Sequence, residues 1–459
     1  MSEVDLAAQV LDLVRTLSGP GTQAEVLVER RTLALTRFAN SYIHQNVADT
    51  TTTVRLRLHR DGRTAGGSTT LTVADALRDL VQRTAAASRL CPPDPGWPGL
   101  APPSPVDEPV AVDEDVIAAT PADRAARVRA FVDACAGLPA AGYCRTAHGT
   151  SAFANSAGQS ALGATTQASM DGVARSTAAD GAARLAGPRL SDVDGAVLGA
   201  RAAAKALAGA EPIELRPGRY EVVLEPLAVG DILQSLALYG FNGKAVNEHR
   251  SFVAPGEEQF DESVTLVDDP TGPGQAGLLF DAEGTPRRPL TLVRAGVTEA
   301  VVHDRRTAAV AGTASNGRAL LGGASWGAVP QNLALLPGHG AAPAEVPGPA
   351  ADSSVLDLVT GVRYGLLVSD HWYTRVLDPR PLVVTGLTRN GVWLIEHGEI
   401  TRPVRNLRFT QSYPQALAPG GVLGVAAYSA PGASHWDLAS YAAPALRLAG
   451  WNFTGGVSG

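Results

Sequence analysis

A buried strand that leads directly into a buried helix restricts the fold of this chain more than any other feature. Residues 219–253 read RYEVVLEPLAVGDILQSLALYGFNGKAVNEHRSFV. The apolar run from Tyr220 to Glu225 predicts a strand, and Pro226 predicts the first turn of an apolar helix over residues 227–239. The segment Gly240 to Gly243 predicts a turn after that helix. A strand and helix of this kind, placed at the start of a second domain, are a common support for catalytic groups.

The helix itself carries little reactive chemistry. Its polar side chains include Gln234, Ser235 and Tyr239, its only carboxylate is Asp231, and it has no histidine or cysteine. Asp231 lies near the start of the helix, where the helix dipole favours a negative charge. The residues alone therefore favour a structural role for Asp231.

Length and composition restrict the class of protein. A chain of 459 residues predicts two domains, or three small ones, and 45% hydrophobic with 18% charged residues is typical of a folded globular protein. A net charge of −7, spread along the chain, predicts no nucleic-acid partner. No segment approaches the roughly 18 uninterrupted apolar residues of a membrane span. Three unclustered cysteines and an acidic N-terminus without a signal-peptide pattern predict a cytoplasmic protein.

The first 212 residues alternate between helical and strand patterns. Apolar residues at helical spacing predict helices over residues 6–17, 73–87, 121–135 and 192–207. Between Thr52 and Arg60, apolar residues alternate with basic ones, as in a sheet with one solvated face, and Asp61-Gly62 predicts a hairpin turn. Residues 1–212 are therefore predicted to form an α+β domain of sheet and helices.

Residues 213–459 are predicted to form a mainly antiparallel β domain, which makes the whole chain α+β. Its strands are separated by Gly and Pro turns, and Asn390-Gly391 and His397-Gly398 are predicted as hairpin turns. The segment Glu399 to Phe409 is predicted as one strand, and Ala341 to Ala351 as a surface loop.

Sites for independent chemistry are weak in this sequence. No two histidines lie four residues apart on a predicted helix, although a long-range metal site from His371, His397 and His435 stays open. Ser325 lies in a G-x-S-x-G pattern, but a nucleophile elbow needs a helix directly after the serine, and residues 328–332 begin none. His249 stands between Glu248 and Arg250, and adjacent side chains do not converge on one substrate atom.

A cluster of aromatic and basic residues follows the apolar strand near Val368. His371, Trp372, Tyr373 and Arg375 lie within five positions, and tryptophan, tyrosine and arginine dominate protein-binding hot spots. A strand with one buried aromatic face explains the same pattern. We expect substrate or partner contacts at these four residues and at Arg250.

Several segments, in this order, resemble the TldD/PmbA (TldE) family of peptidase-related proteins. No single motif is highly specific, but the order and spacing extend over nearly the whole chain. The segments are Thr36 to Asn46, Asn155 to Gly158, Phe241 to Lys244, Arg250 to Phe252, Asp268 to Thr271, Phe280 to Gly284, Pro330 to Leu333, Thr385 to Gly391 and Leu394 to Val404.

The resemblance implies a heterodimer of two related subunits. In the TldD-type subunit, an H-E-x-x-x-H motif lies on the helix after the first strand of the C-terminal domain. Its histidines, with a cysteine near the C-terminus, bind zinc, and its glutamate can activate the metal-bound water. The TldE-type subunit lacks this set.

In this chain, the counterparts of the motif's His, Glu and His are Gln234, Ser235 and Tyr239. No histidine lies between Arg219 and Glu248, and no cysteine follows Cys144. The resemblance therefore implies a metal-free, TldE-type subunit that binds a peptide substrate and a TldD-like partner, with zinc and the general base on that partner. Two alternatives stay open: a hydrolase using His371, His249 or Ser325, and a peptide-binding regulator, since the family has been linked to modulation of DNA gyrase.

Overall fold

The computed structural model describes residues 2–107, 112–275, 277–338, 353–433 and 440–456. The predicted loop Ala341 to Ala351 lies outside these residues. The N-terminal part contains, in chain order, α1 (Glu3–Leu17), β1 (Gln23–Ala39), β2 (Tyr42–Arg60), β3 (Arg63–Thr69), α2 (Ala74–Leu90), α3 (Glu114–Ala118), α4 (Pro121–Ala134), β4 (Ala140–Asn155), β5 (Ser160–Arg175), β6 (Asp180–Gly187) and α5 (Gly195–Ala208).

The N-terminal strands form one antiparallel sheet with helices on one of its faces. The strand order is β3-β2-β1-β4-β5-β6. Val26 and Val28 of β1 share a core with α1 and α2, while Phe38, on the same strand, shares a core with α4 and α5. The opposite face carries Leu27 and Phe153, which contact Phe280 of the second domain. The helices therefore cover one face, and the other is turned towards the C-terminal domain.

The C-terminal part is mostly strands. Its elements are β7 (Gly218–Leu224), α6 (Pro226–Ser235), α7 (Gly243–Asn247), β8 (Leu266–Asp268), β9 (Leu290–Arg294), β10 (Val297–Thr298), α8 (Arg305–Ala311), α9 (Gly323–Trp326), β11 (Asn332–Leu335), α10 (Ser353–Thr360), β12 (Tyr364–Asp378), β13 (Val383–Glu396), β14 (Glu399–Pro403), β15 (Leu407–Ser412), α11 (Tyr413–Ala416), β16 (Val422–Ala433) and β17 (Ser440–Gly456). The predicted α+β fold class, with a sheet-plus-helices domain followed by a mainly β domain, is confirmed. The boundary after residue 212 stays a prediction.

Five C-terminal strands close into a ring. β7 pairs in parallel with β12 and antiparallel with β17, and antiparallel pairs join β12 to β13, β13 to β15, and β15 to β17. Val222 and Leu224 belong to the same core as Ile232 and Leu233 of α6, whereas Val223 packs in a second core with α10. The alternating strand side chains thus divide between α6 on one side and α10 on the other.

Two turn and strand predictions need correction. Asn390-Gly391 is not a hairpin turn, because β13 continues through both residues. The two residues have positive φ angles of 60° and 133°, and Asn390 Nδ2 donates to Asp370 Oδ2 at 2.9 Å. The register between β12 and β13 shifts at this point, so the pair marks a bulge. Residues 399–409 form two strands, β14 and part of β15, rather than one.

Polar contacts as well as the Phe280 contact join the domains. Lys205 Nζ of α5 donates to Glu225 Oε2 at the start of α6, and Arg184 of β6 donates to Asp370 Oδ2 of β12 at 2.5 Å. Trp393 Nε1 donates to the Ala208 carbonyl at 3.1 Å. These contacts place β7, α6 and β12 directly beside the N-terminal domain.

None of the helices in the described ranges combines the length and apolar character that crossing a membrane requires.

Candidate functional site

The strand–helix segment forms as predicted, with one departure at the end of the helix. α6 begins with Pro226 and ends at Ser235, and a π-helical turn follows over Leu236–Gly240. Phe241 N donates to the Leu236 carbonyl, five residues earlier, at 2.9 Å. A π-turn holds more residues than an α-helical turn, so residues five apart lie close to one face. Gln234 and Tyr239 have this spacing and lie on either side of the start of the turn.

Asp231 is the centre of a buried hydrogen-bonded group rather than a solvated helix-dipole partner. Its Oδ1 accepts from Thr374 Oγ1 at 2.7 Å, and its Oδ2 accepts from Tyr413 Oη at 2.6 Å. His371 Nδ1 lies 3.8 Å from the same Oδ2. We call Asp231, His371, Thr374 and Tyr413 the Asp231 cluster. It connects α6 to β12 and α11.

The imidazole of His371 is enclosed by aromatic rings. Its centroid lies 4.5 Å from that of Phe409 and 5.1 Å from that of Trp451, and its side chain is 0% exposed. Neither ring nitrogen has a hydrogen-bond partner among the described residues. Burial lowers the pKa of His371 to about 3. The ring is therefore neutral at physiological pH, and it presents no surface to a substrate in this structure.

The adjoining face of α6 is closed by a tyrosine. A Cβ atom on Gly230 would lie 2.4 Å from ring carbons of Tyr441, and one on Gly432 would lie 2.5 Å from the same ring. Tyr441 is thus held between two glycines, one on α6 and one on β16. The missing side chains of both glycines are what give the ring its space.

We expect Gly230→Ala to lower the free energy of unfolding by about 1–3 kcal/mol, because an added methyl group in a filled core forces neighbours apart. Urea unfolding of the purified chain measures this. Gly230→Ala combined with Tyr441→Leu is the matched control, since it removes the ring that the methyl group meets. A single variant as stable as the original chain would mean that Tyr441 moves away freely.

The three residues that the family resemblance aligns with the zinc motif carry amide and hydroxyl groups. Ser235 is buried, whereas Gln234 and Tyr239 are partly buried, and Tyr239 packs against the core. Amide and hydroxyl oxygens are poor zinc ligands compared with imidazole and thiolate. Across the described ranges, no three His, Cys, Asp or Glu side chains come together in a way that could hold a metal ion. Residues that could hold zinc at α6 are therefore not found in the part of the chain that the structure describes.

Trp372, Tyr373 and Arg375 lie on the exposed part of β12, next to the Asp231 cluster. Trp372 is 39% and Tyr373 is 65% exposed. The Arg389 guanidinium lies 4.4 Å from the ring centroid of Trp372, and that of Arg375 lies 4.4 Å from the ring of Tyr373. Tyr373 has a φ angle of 54° at a bulge of β12. We call Trp372, Tyr373, Arg375 and Arg389 the aromatic–arginine patch.

The other predicted contact and chemical residues lie in separate places. Arg250 is in the exposed loop after α7, where its Nε donates to Glu248 Oε2 at 2.8 Å. His249 is exposed beside it. Ser325 lies inside the one-turn helix α9, and the described residues before that helix form a loop, so no nucleophile elbow is present there. His435 lies outside the described residues.

Sequence reasoning missed Thr374, Tyr413 and Tyr441. A signal was available for the first two, because a single carboxylate in an otherwise apolar helix needs buried hydrogen-bond donors. Nothing in the sequence names which distant hydroxyls supply them. Tyr441 is found only through its contacts with Gly230 and Gly432.

Two cavities lie between the domains on the open face of the N-terminal sheet. One, of about 390 Å³, is lined by Glu29, Ser151 and Gln167, and the other, of about 770 Å³, by Arg55 and Glu283, among others. Leu27 lines both, and its contact with Phe153 and Phe280 stands between them. The lining mixes polar side chains, such as Glu29, Ser151 and Arg55, with apolar ones, so this space suits a ligand that carries both kinds of group.

Glu25 lines the larger cavity and carries a strongly perturbed carboxyl group. Burial raises the pKa of Glu25 to about 7, although Arg57, 2.6 Å away, acts in the opposite direction. In the unfolded chain this pKa is near 4.5. Between these two values the folded protein binds the extra proton, so the contribution of Glu25 to stability falls as pH rises through about 7.

We therefore expect Glu25→Gln to gain stability relative to the original chain as pH rises from 5 to 8. Thermal unfolding of both proteins across this range measures the difference, and the sign of the trend is the prediction. A difference that does not change with pH would contradict a raised pKa for Glu25.

Sequence comparison relates the chain to one family. Residues 217–455, more than half of the chain, match a family model described as the PmbA/TldA metallopeptidase C-terminal domain. Residues 24–88 match the model described as PmbA/TldA metallopeptidase domain 1. With the two-domain architecture and the strand–helix segment, these matches define a metallopeptidase-related protein. The chain belongs to the PmbA/TldD family. No curated protein sequence matches it.

Solved structures share the complete fold at low sequence identity. TldE from Thermococcus kodakarensis has a TM-score of 0.82 at 17% identity, covering 98% of this chain and 99% of that one. A Thermotoga maritima protein described as a candidate modulator of DNA gyrase has a TM-score of 0.81 at 15% identity, covering 98% and 99%. A similarly described Bacteroides thetaiotaomicron protein has a TM-score of 0.79 at 18% identity, covering 98% of both chains.

Proposed function

We propose that this chain is the metal-free subunit of a TldD/TldE-like heterodimeric zinc peptidase. In this proposal, the zinc ion and the general base belong to a TldD-like partner. The complex processes unfolded or modified peptides, including precursors of peptide natural products. The chain acts in the cytoplasm, in keeping with its three free cysteines, two of which are buried.

The chemistry of α6 carries the proposal. Its π-turn provides the spacing that an H-E-x-x-x-H motif would need, but the side chains are Gln234, Ser235 and Tyr239. The neighbouring Asp231 is engaged by two hydroxyl groups, and His371 is enclosed and neutral. These groups hold the helix in place, and neither Asp231 nor His371 faces an open site as a general base. A partner that supplies the metal would explain why a chain with a metallopeptidase-related fold has Gln234, Ser235 and Tyr239 on this helix.

The aromatic–arginine patch is the surface that we assign to the partner. Its residues are of the types that supply most binding energy in interfaces. Tyr373 has a backbone conformation that is costly for a bulky residue, and strain of this kind is concentrated at functional positions. The patch borders the Asp231 cluster, so a subunit bound there would lie next to α6.

Reconstitution with a TldD-type protein tests the proposal. We expect the isolated chain to retain less than one tenth of an equivalent of zinc and to cleave no peptide. Mixed with the TldD-type protein, it is expected to form a one-to-one complex that cleaves unfolded peptides. Size-exclusion chromatography, elemental analysis and a cleavage assay give the three results. Cleavage by the isolated chain would contradict the proposal. Failure to associate with any TldD-type protein would favour the alternative that the chain is a peptide-binding regulator.

We expect Gln234→Ala and Ser235→Ala to leave the kcat of the reconstituted complex within about twofold of its original value, because neither side chain takes part in the reaction. Steady-state kinetics of the complex measures this, with thermal unfolding to detect any packing cost. The matched variant Trp372→Ala is expected to weaken assembly at least tenfold. A large loss of kcat at Ser235→Ala in a complex that folds and assembles normally would assign chemistry to this chain.

A further inference from the structure

β2 presents a long edge that no described strand covers. β1 pairs with β2 from Tyr42 to His59, with a register shift between Ile43 and Gln45. β3 pairs only with the part from Val54 to Arg60. The twelve residues 42–53 therefore form a free edge, and at roughly 3.3 Å per residue this edge is about 40 Å long. Residues 44–50 are all exposed.

The geometry of the hairpins shows which main-chain groups point outwards. Asp61 and Gly62, both with positive φ, join β2 to β3 in a two-residue turn. The flanking Arg60 and Arg63 then exchange both hydrogen bonds, so the even-numbered residues of this part of β2 direct their N–H and C=O groups towards β3. Continuing along the strand, Asn46, Ala48, Thr50 and Thr52 direct the same groups towards the open edge.

Apart from a bulge at His44, where the register with β1 shifts, this edge carries few of the devices by which proteins protect exposed strands. Its sequence, YIHQNVADTTTT, contains no lysine, arginine, proline or glycine, and only one carboxylate. Its side chains are also held in place: Thr36 Oγ1 donates to Asn46 Oδ1 at 2.6 Å, and the Thr32 and Thr50 hydroxyls lie 2.9 Å apart. By contrast, β6 at the other side of the sheet lies beside β16 and β13 of the C-terminal domain. From Gln45 to Thr53 the free edge is therefore extended, and its outward main-chain groups are open to a further strand.

The composition of the edge favours a peptide over a permanent subunit. A stable dimer needs about 800 Å² of buried surface per partner, and permanent interfaces are rich in apolar residues. The large apolar residues of this edge are Tyr42, Ile43 and Val47. With almost no charge, the edge does not select for charged side chains. The edge can bind a peptide mainly through main-chain hydrogen bonds, which form with extended peptides of different sequences.

We propose that the β2 edge, residues 42–53, binds an extended, unstructured peptide segment by adding it as a further strand to the N-terminal sheet. This inference rests on the proposed role in peptide processing and assigns the place where this subunit holds the chain to be processed. Recognition is largely independent of the side chains of the peptide.

Binding of labelled ten-residue neutral peptides to the purified chain tests this, measured by fluorescence anisotropy up to millimolar concentration. Two scrambled sequences are expected to bind with dissociation constants within threefold of each other. The same peptide N-methylated along its length should bind at least tenfold more weakly, because it has no main-chain donors. Ala48→Pro should weaken binding at least tenfold, since it removes an outward N–H without removing a bond to β1.

Ala48→Val is the matched control, because it keeps the main-chain donor, and it should bind as the original chain does. Circular dichroism confirms that each variant folds. Unchanged binding by Ala48→Pro or by the N-methylated peptide would overturn the inference, as would no binding at all. Loss of a homodimer on Ala48→Pro, with peptide binding intact, would assign the edge to a second copy instead. Assembly with a TldD-type partner is a separate measurement, so its failure is distinguishable from failure here.

Discussion

Replacing Lys205 with alanine is expected to lower the free energy of unfolding by about 3–5 kcal/mol, because it leaves a buried carboxylate without its cation. The Lys205 and Glu225 side chains are only 9% and 13% exposed, and they join α5 of the N-terminal domain to the residue before α6. Ser369 Oγ donates to the same Glu225 Oε2 at 3.0 Å but carries no charge. Urea unfolding, followed by tryptophan fluorescence, measures the loss.

The matched control is the double variant Lys205→Met with Glu225→Gln. It removes both charges while keeping the volume and an acceptor for Ser369, so most of the lost stability should return. Lys244, the only other lysine, serves as a second comparison, because its ammonium group donates to the carbonyl of Ser325 in a more exposed position. A double variant no more stable than Lys205→Ala would show that the charge on Glu225 is not the cause.

Asp231→Ala is expected to destabilise the protein by about 2–4 kcal/mol, because the buried hydroxyl groups of Thr374 and Tyr413 lose their acceptor. The same change should also weaken assembly with the TldD-type partner, since Thr374 adjoins Tyr373 of the aromatic–arginine patch. Unfolding in urea and titration of the partner measure the two effects separately.

Asp231→Leu combined with Tyr413→Phe should recover part of the stability, because removing both members of a hydrogen-bonded pair costs less than removing one. Gln234→Ala, on the same helix, is the local control and should change stability by less than about 1 kcal/mol. If Asp231→Ala were as stable as Gln234→Ala, the cluster would contribute nothing to holding α6.

Local patterns in the sequence predict most elements of the fold, but not how they combine. Alternation from Val54 to Arg60 and the Asp61-Gly62 turn correctly predict part of β2 and its hairpin, because both depend on neighbouring residues. The sequence pattern predicts one strand over residues 24–29 and another over residues 32–38, separated by Arg30 and Arg31. The structure has the single strand β1 instead, because the face of the sheet that carries these charges is open to the space between the domains. Asn390-Gly391 is wrongly predicted as a hairpin turn because residues with positive φ angles occur in bulges as well as in turns.

The strand and helix that carry the candidate site were predictable from the sequence, but the buried contacts of that helix were not. The resemblance places Gln234, Ser235 and Tyr239 on the helix after the first C-terminal strand, and α6 and its π-turn lie there. The partners of Asp231 come from residues more than 140 positions away, and single-sequence reasoning has no access to such contacts. His371 shows the same limit, because its sequence neighbours Trp372 and Tyr373 are exposed while it is enclosed.

The closed ring of β7, β12, β13, β15 and β17 has a consequence for synthesis on the ribosome. β7 ends at Leu224, and the strand that seals the ring beside it spans Ser440–Gly456, more than 200 residues later. The N-terminal sheet is complete once β6 has been made, so it can fold while the rest of the chain is still emerging. The ring cannot fold at that stage, because its apolar strands stay incompletely paired until β17 has been made. Such long-range closure is slow, so we expect the C-terminal domain to be the part that depends on chaperones during folding.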